Sequence, residues 1–330
     1  MRDRDSLEDF LTRLITRYDE YITLQRLLTL ELKSAPKSTL QMLLRRLPSY
    51  ILSTEYLNRQ HYCYTPEVEA FDDCIADHPY LHSHYLQTVC KYPAKAHLHC
   101  LELESTRAAL SAFLTDLRQR LLTPAFRLQV NQQQSQMNRT FRAVCKYVDA
   151  LFATHARLVV IRVDFSYQKQ ADIQLEQFER DLKRLKESTR HVPLFKYMEG
   201  YLFKIEHGLE KGLHVHGLLF FNGSKRKGSS DSHLAQSIGE HWRDMIVEAH
   251  GNYWNCHDDK DRYEELESLG IGDIHYSDTK SINNLKGIVE YFCKRGQYIK
   301  PLDTPKMRLI HKGISPNTSG VKQGAPRKAL

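Results

Sequence analysis

Two histidines, His214 and His216, stand one residue apart in a run otherwise built of Leu, Val, Gly and Phe. Side chains alternate along a strand, so both imidazoles point to one face while Val215 points to the other. Two neutral imidazoles fixed on one face make half of a divalent-metal site. A carboxylate, Glu206, lies on the preceding apolar segment, across a short stretch (Gly208 to Gly212) that reads as a hairpin turn. Two histidines and one carboxylate suit Mn²⁺ or Mg²⁺ better than a closed structural zinc site. His207 is the competing third ligand, and parity does not decide while the loop length is open. Downstream, Tyr291 is followed by Lys294 and then Tyr298. A tyrosine oxygen has an ordinary pKa near ~10, so it becomes a nucleophile only where nearby charge favours the phenolate. On a helix Lys294 lies one turn from Tyr291. Tyr298 shares nearly the same face, ~10 Å along, if the helix runs through Gly296, and otherwise packs beyond its end.

These residues need a sheet to hold them. ARLVVIRVDFSY, ending at Tyr167, is rich in β-branched residues and alternates Arg162, Asp164 and Ser166 against Ile161, Val163 and Phe165. Ile173 to Ser188 returns to helical period. The two hairpin strands follow, then a helix near His233 to His250, a short strand at GIGDIHYS (Gly270 to Ser277), and a helix from Ile282 to about Arg295. The order β-α-β-β-α-β-α predicts an α+β fold, an antiparallel sheet flanked by helices. Residues 1–127 read as helical: SLEDFLTRLITRYDEYITLQRLL has apolar residues at 3–4 spacing, and STRAALSAFLTDLRQRLL repeats it behind Ser105 and Thr106 as caps. The polar stretch Val130 to Arg139 reads as a linker, with a short helix from about Thr140 to Thr154 after it. The expected domains are therefore a helical accessory region over 1–137, a catalytic domain over 138–313, and a basic tail over 314–330.

The ordered set of strand, Glu206, His214-Val215-His216 and Tyr291-x-x-Lys294 resembles the HUH endonuclease superfamily. More narrowly, Asn138 to about Gly313 resembles the inovirus Gp2 family, also called the YagK/YfjJ-type domain of prophage proteins. VIRVDFSY, IEHGLEKGLHVHGLLFFNGS, IGEHW, GIGDI and YFCKRGQY carry the match. The tyrosine follows the histidines, as in rolling-circle replication initiators, and Lys294 is the polar partner. The resemblance implies a phage, prophage or plasmid-like replication initiator that nicks and rejoins single-stranded DNA through a 5′-phosphotyrosyl link. Tyr291 would be the nucleophile, with Lys294 beside it and Tyr298 as a second nucleophile or a packed ring. His214, His216 and Glu206 would hold Mn²⁺ or Mg²⁺. Arg162, Asp164 and the basic loop residues Lys225, Arg226 and Lys227 are candidate DNA contacts, Asp164 being alternatively a site-ordering residue or half of a structural ion pair. The partner would be single-stranded DNA at an origin in a bacterial cytoplasm, with a host helicase as an option. The alternative is a non-catalytic DNA-binding regulator of a mobile element on the same fold.

Composition sets the limits. The net charge of +7 over 330 residues suits a polyanionic partner without proving one. Seven cysteines with no CxxC pair argue for reduced thiols rather than a disulfide frame. No apolar run approaches ~18 residues, the N-terminus lacks a signal-peptide core, and there is no GxxxxGK[ST] loop, so no membrane span and no nucleotide triphosphate are expected. His82 and His84, and the group Cys90, His97, His99 and Cys100, imitate zinc spacing but read as decoys on helix and loop. The lysines and arginines from Lys300 onward read as a phosphate-contacting or loose arm. The N-terminal helices are free to cover the sheet, read duplex DNA or recruit a partner.

Overall fold

The computed structural model describes residues 62–63, 65–84, 104–168, 173–208, 212–226, 230–293, 300–301 and 308–317. The first predicted helix, SLEDFLTRLITRYDEYITLQRLL, lies outside them, as do Cys90, His97, His99, Cys100 and nearly all of the basic tail. Chain contacts divide the molecule into two compact units at Ser135/Gln136, with 300–303 joining the first.

In the first unit, helix α1 spans Pro66–Ala76. Thr65 caps it by accepting from the Val68 N–H at 3.4 Å, and Pro66 opens the helix where a missing N–H costs nothing. Helix α2 spans Glu104–Leu122, so Ser105 and Thr106 sit inside it rather than capping it. The two helices share an apolar seam, with Phe71 and Phe113 edge to face at 5.7 Å. His82 and His84 are helical, where neighbours two apart diverge.

Helix α3 spans Pro124–Thr154 without interruption. This corrects the expected linker: Val130 to Arg139 is the middle of a helix, and the unit boundary falls within it. The stretch is polar because it is mostly exposed. Gln, Met and Arg are good helix formers, and no Gly or Pro occurs between Ala125 and Thr154.

The second unit is built on a six-stranded antiparallel sheet. Its strands are β1 (Arg157–Tyr167), β2 (Met198–Gly208), β3 (Gly212–Asn222), β4 (Gly251–Asn255), β5 (Gly272–His275) and β6 (Ile310–Lys312). The spatial order is β4-β1-β3-β2-β6, and β5 pairs with the first half of β1. The α+β expectation holds. Two strands escaped the sequence reading. The helix expected to reach His250 is α5 (Asp231–Glu240), extended by a π-helical turn (His241–Ile246); Gly251–Asn255 then enters the sheet and the short helix α6 (Lys260–Glu265) follows it. Lys312, expected on a loose arm, is in edge strand β6 with its ammonium 4.8 Å from the Tyr147 ring.

Each sheet face has its own helical layer. On one, α4 (Leu175–His191), α5 and the π turn cover Ile161, Val163, Phe165, Phe203, Ile205, Val215 and Leu219, with Trp242 wedged between Phe165 and Tyr167. Gly217 makes that packing possible, because an added Cβ would stand 2.7 Å from the Phe165 ring. On the other face, α3 and helix α7 (Thr279–Cys293) cover Leu158, Val160, Leu202, Leu218 and Phe220. Between these helices and the sheet's other end the residues cease to be apolar. Among the described residues no helix is long and apolar enough to cross a membrane.

Candidate metal centre

Strand register places the chemistry. Asp164 of β1 pairs with His216 of β3, and His216 pairs with Lys204 of β2, while Glu206 pairs with His214 one step along. Alternation therefore puts Arg162, Asp164, His214, His216, Lys204 and Glu206 on the face shared with Leu158 and Leu202. The question left open by the sequence has a clear outcome: Glu206 is opposite His214 and turned toward the pair. Gly212, at φ 61°, opens β3 in a conformation that an L side chain adopts only under strain.

The three predicted ligands meet. Glu206, His214 and His216 are all buried, and one ligand atom from each lies within 4.8 Å of the others, so the group can hold a metal ion. Glu206 Oε2 is 3.1 Å from His216 Nε2 and 3.4 Å from His214 Nε2. Both outer nitrogens are occupied elsewhere. His214 Nδ1 lies 2.9 Å from the Gly212 carbonyl, and His216 Nδ1 lies 2.8 Å from Asp164 Oδ1. These contacts leave each Nε2 facing Glu206 Oε2, where it donates to the carboxylate and where, once that proton is lost, its lone pair would meet a divalent ion. The donor set fits a divalent ion on this observation.

The electrostatics are those of a buried site dense in charge. Burial raises the Glu206 carboxyl, but hydrogen bonds from His214 and His216 outweigh it and hold it down at about 2. Burial lowers the His216 imidazole, yet Asp164 and Glu206 carry it up to about 9. Lys204, fully buried, is pushed down to about 8 by burial, against the pull of Glu206. Desolvating so many charged groups is costly, and proteins keep such sets where function requires them.

Tyr291 comes to the same place. It is 38% exposed, and its ring lies edge-on to His216 with centroids 6.2 Å apart. Its neighbour Phe292 is fully buried and packs on His216 at 5.6 Å, with the Arg162 guanidinium on its other contact at 5.6 Å. A cavity of about 280 Å³ opens beside Tyr291, lined among others by Arg162, Tyr263, Asn283 and Gly287. Lys294, Tyr298 and Lys227 lie outside the described residues.

Asp164 orients His216 and is 3.7 Å from Arg162, so it joins the site-ordering and ion-pair readings. Lys225 and Arg226 are not brought here. They follow Asn222, roughly 20 Å along β3 from His216 at ~3.3 Å per residue. Arg226 instead donates to the Leu194 and Lys196 carbonyls and stacks on Phe221.

Sequence reasoning missed three residues. Lys204 was legible in the alternation of Lys204 and Glu206 with Phe203 and Ile205. Trp254, 58% exposed, pairs with Asp164 and so extends the row Trp254–Asp164–His216–Lys204 across the sheet; nothing marked it, since β4 itself was not foreseen. His257, distant in sequence, accepts the Arg162 backbone N–H at 3.1 Å.

The family model described as the YagK/YfjJ C-terminal domain matches residues 125–300, and those residues contain every ligand and aromatic side chain of this cluster. No curated protein and no solved structure matches the chain.

Proposed function

The chain belongs to the YagK/YfjJ C-terminal domain family, and from that membership and the geometry of the cluster we propose that it is an HUH-type tyrosine nickase. Its task would be to cut and rejoin single-stranded DNA at an origin, as the rolling-circle replication initiator of a phage, prophage or plasmid-like element. The observation that carries this reading is the position of Tyr291, an accessible phenol beside a buried Glu-His-His group and at the mouth of a cavity.

Glu206, His214 and His216 would hold Mn²⁺ or Mg²⁺, which when bound withdraws charge from the non-bridging oxygens of a phosphate. The remaining steps belong to the chain's own residues. Asp164 and the Gly212 carbonyl keep both imidazoles aimed inward. Burial of Phe292 fixes the helix that carries Tyr291. The Tyr291 oxygen attacks phosphorus, the bond to the 3′ oxygen breaks, and that strand end departs as a 3′-hydroxyl. The 5′ phosphate remains as a tyrosine ester. Attack by a 3′-hydroxyl reverses the step, so rejoining needs no nucleotide triphosphate. Trp254 offers a flat ring for base stacking along the same sheet face. Work in a bacterial cytoplasm with a host helicase follows from this role.

The test uses labelled single-stranded origin oligonucleotides with Mn²⁺ and denaturing gels. A covalent protein–DNA band is expected, absent with EDTA and reduced at least ~10³-fold by Tyr291→Phe. If Tyr291→Phe cuts as well as the unaltered chain, Tyr291 is not the nucleophile. DNA binding that ignores EDTA, with no cleavage of any origin strand, would instead identify a non-catalytic regulator.

A further inference from the structure

A second cluster of metal-binding side chains lies in the first unit, far in sequence from the first. Cys74 sits on the last turn of α1, and His78 follows one turn later, its N–H donating to the Ile75 carbonyl at 3.0 Å. Asp116 comes from α2. The three offer ligand atoms within 4.8 Å of one another. Cys74 is fully buried, while the His78 and Asp116 side chains are 20% and 32% exposed.

The separations have the size of a coordination polyhedron. Zinc binds thiolate at about 2.3 Å and nitrogen or oxygen at about 2.0–2.2 Å, so the edges of its tetrahedron are roughly 3.3–3.6 Å. His78 Nε2 is 3.3 Å from Asp116 Oδ2, and Cys74 Sγ is 3.5 Å from the same oxygen. A thiol and an imidazole thus converge on one carboxylate oxygen. Arg120 grips the carboxylate at both oxygens, its Nε donating to Oδ1 at 3.0 Å and an Nη to Oδ2 at 2.9 Å, and so fixes the plane of the group that would ligate.

Charge points the same way. Arg120 is shared between Asp116 and Asp77, so that set carries one net negative charge. A divalent ion that displaces the Cys74 proton brings the group to neutrality.

We propose that Cys74, His78 and Asp116 form a zinc site that fastens the end of α1 to α2. The sulfur and imidazole donors select zinc over the hard ions suited to Glu206, His214 and His216. His78 and Asp116 also border a wide surface depression, which leaves the fourth position to water. The site is independent of any nicking activity and stands or falls without it.

The experiment strips the full chain with a chelator and titrates it with Co²⁺ alone, reading the near-ultraviolet sulfur-to-cobalt charge-transfer band. One thiolate-bound cobalt per chain is expected, displaced by Zn²⁺. Cys74→Ser should abolish the band. His78→Gln, which keeps the thiol, should weaken cobalt binding at least ~10-fold. His214→Ala with His216→Ala should leave the band in place, because that cluster has no sulfur. A folded unaltered chain, judged by circular dichroism, that gives no band overturns the proposal. So does a band that survives Cys74→Ser at full strength, or, if that variant does not fold, unweakened binding in His78→Gln.

Discussion

The two faces of the sheet come from the same strands and are written in the same alternating code, yet they end differently. Beneath α4 and α5 the apolar residues continue to the tips of the strands, closed by the Phe165–Trp242–Tyr167 stack. Beneath α3 and α7 they stop after Val160, Leu202 and Leu218, and the next positions are Arg162, Lys204 and His216. The first face is spent on cohesion. The second gives up part of its cohesion, and the loss is confined to one patch. Where alternation persists but hydrophobicity ends, the strand has changed its task without changing its shape.

Removing cohesion should have the largest effect. Phe165→Ala, on the apolar face, should destabilise the fold by about 3–5 kcal/mol in denaturant unfolding. Asp164→Asn, one residue away but on the other face, should leave unfolding nearly unchanged. It should instead weaken Mn²⁺ binding by about 10–100-fold in calorimetric titration, because His216 loses its orienting partner. If Asp164→Asn unfolds the protein as severely as Phe165→Ala, the polar patch is structural and the contrast between faces fails. Trp254→Ala should cost about 1–2 kcal/mol of single-stranded DNA affinity by fluorescence anisotropy, with stability kept within ~0.5 kcal/mol because the ring is exposed. Undiminished affinity would take Trp254 off the DNA path.

The smallest expected effect is a pH dependence. Burial pushes His257 down to about 4, against the opposing pull of Asp231; Lys260 also lowers it. The unfolded chain therefore binds a proton between about pH 6.5 and 4 that the folded chain does not. Stability from this group is complete above 6.5 and is lost as pH falls through 4. His257→Gln should flatten that acid-side decline by roughly 2–4 °C in Tm. A decline identical in the variant would remove His257 as its cause.

Much of this was legible because it was local. Period-two spacing gave β1, the hairpin, and His214 and His216 on one side. The choice of Glu206 needed the hairpin register, which a loop of open length conceals. The helical identity of Val130 to Arg139 is hidden for a different reason: polar composition resembles that of an irregular linker, although exposed Gln and Arg favour helix. Trp254 reaches the site only through the pairing of β4 with β1, His257 only through its ring nitrogen on the Arg162 N–H, and Asp116 reaches Cys74 only through helix packing. Such contacts between distant segments leave no periodic trace. The roles of Lys294 and Tyr298 fall on residues outside those described.

Helix α7 has a further consequence, for how this chain can change over time. It buries Leu285, Val289 and Phe292 while presenting Tyr291 at the rim. Each residue turns a helix by about 100°. One residue inserted between Leu285 and Tyr291 would swing the phenol a quarter turn or more from His216 unless Phe292 left its pocket. Insertions before Thr279 carry no such penalty, since they lengthen a surface turn. Lineages of this protein should therefore vary in length around Ser277, ahead of the Asp278 side chain that caps α7 by accepting from the Ser281 N–H, and hold α7 to a fixed count from Leu285 to Cys293.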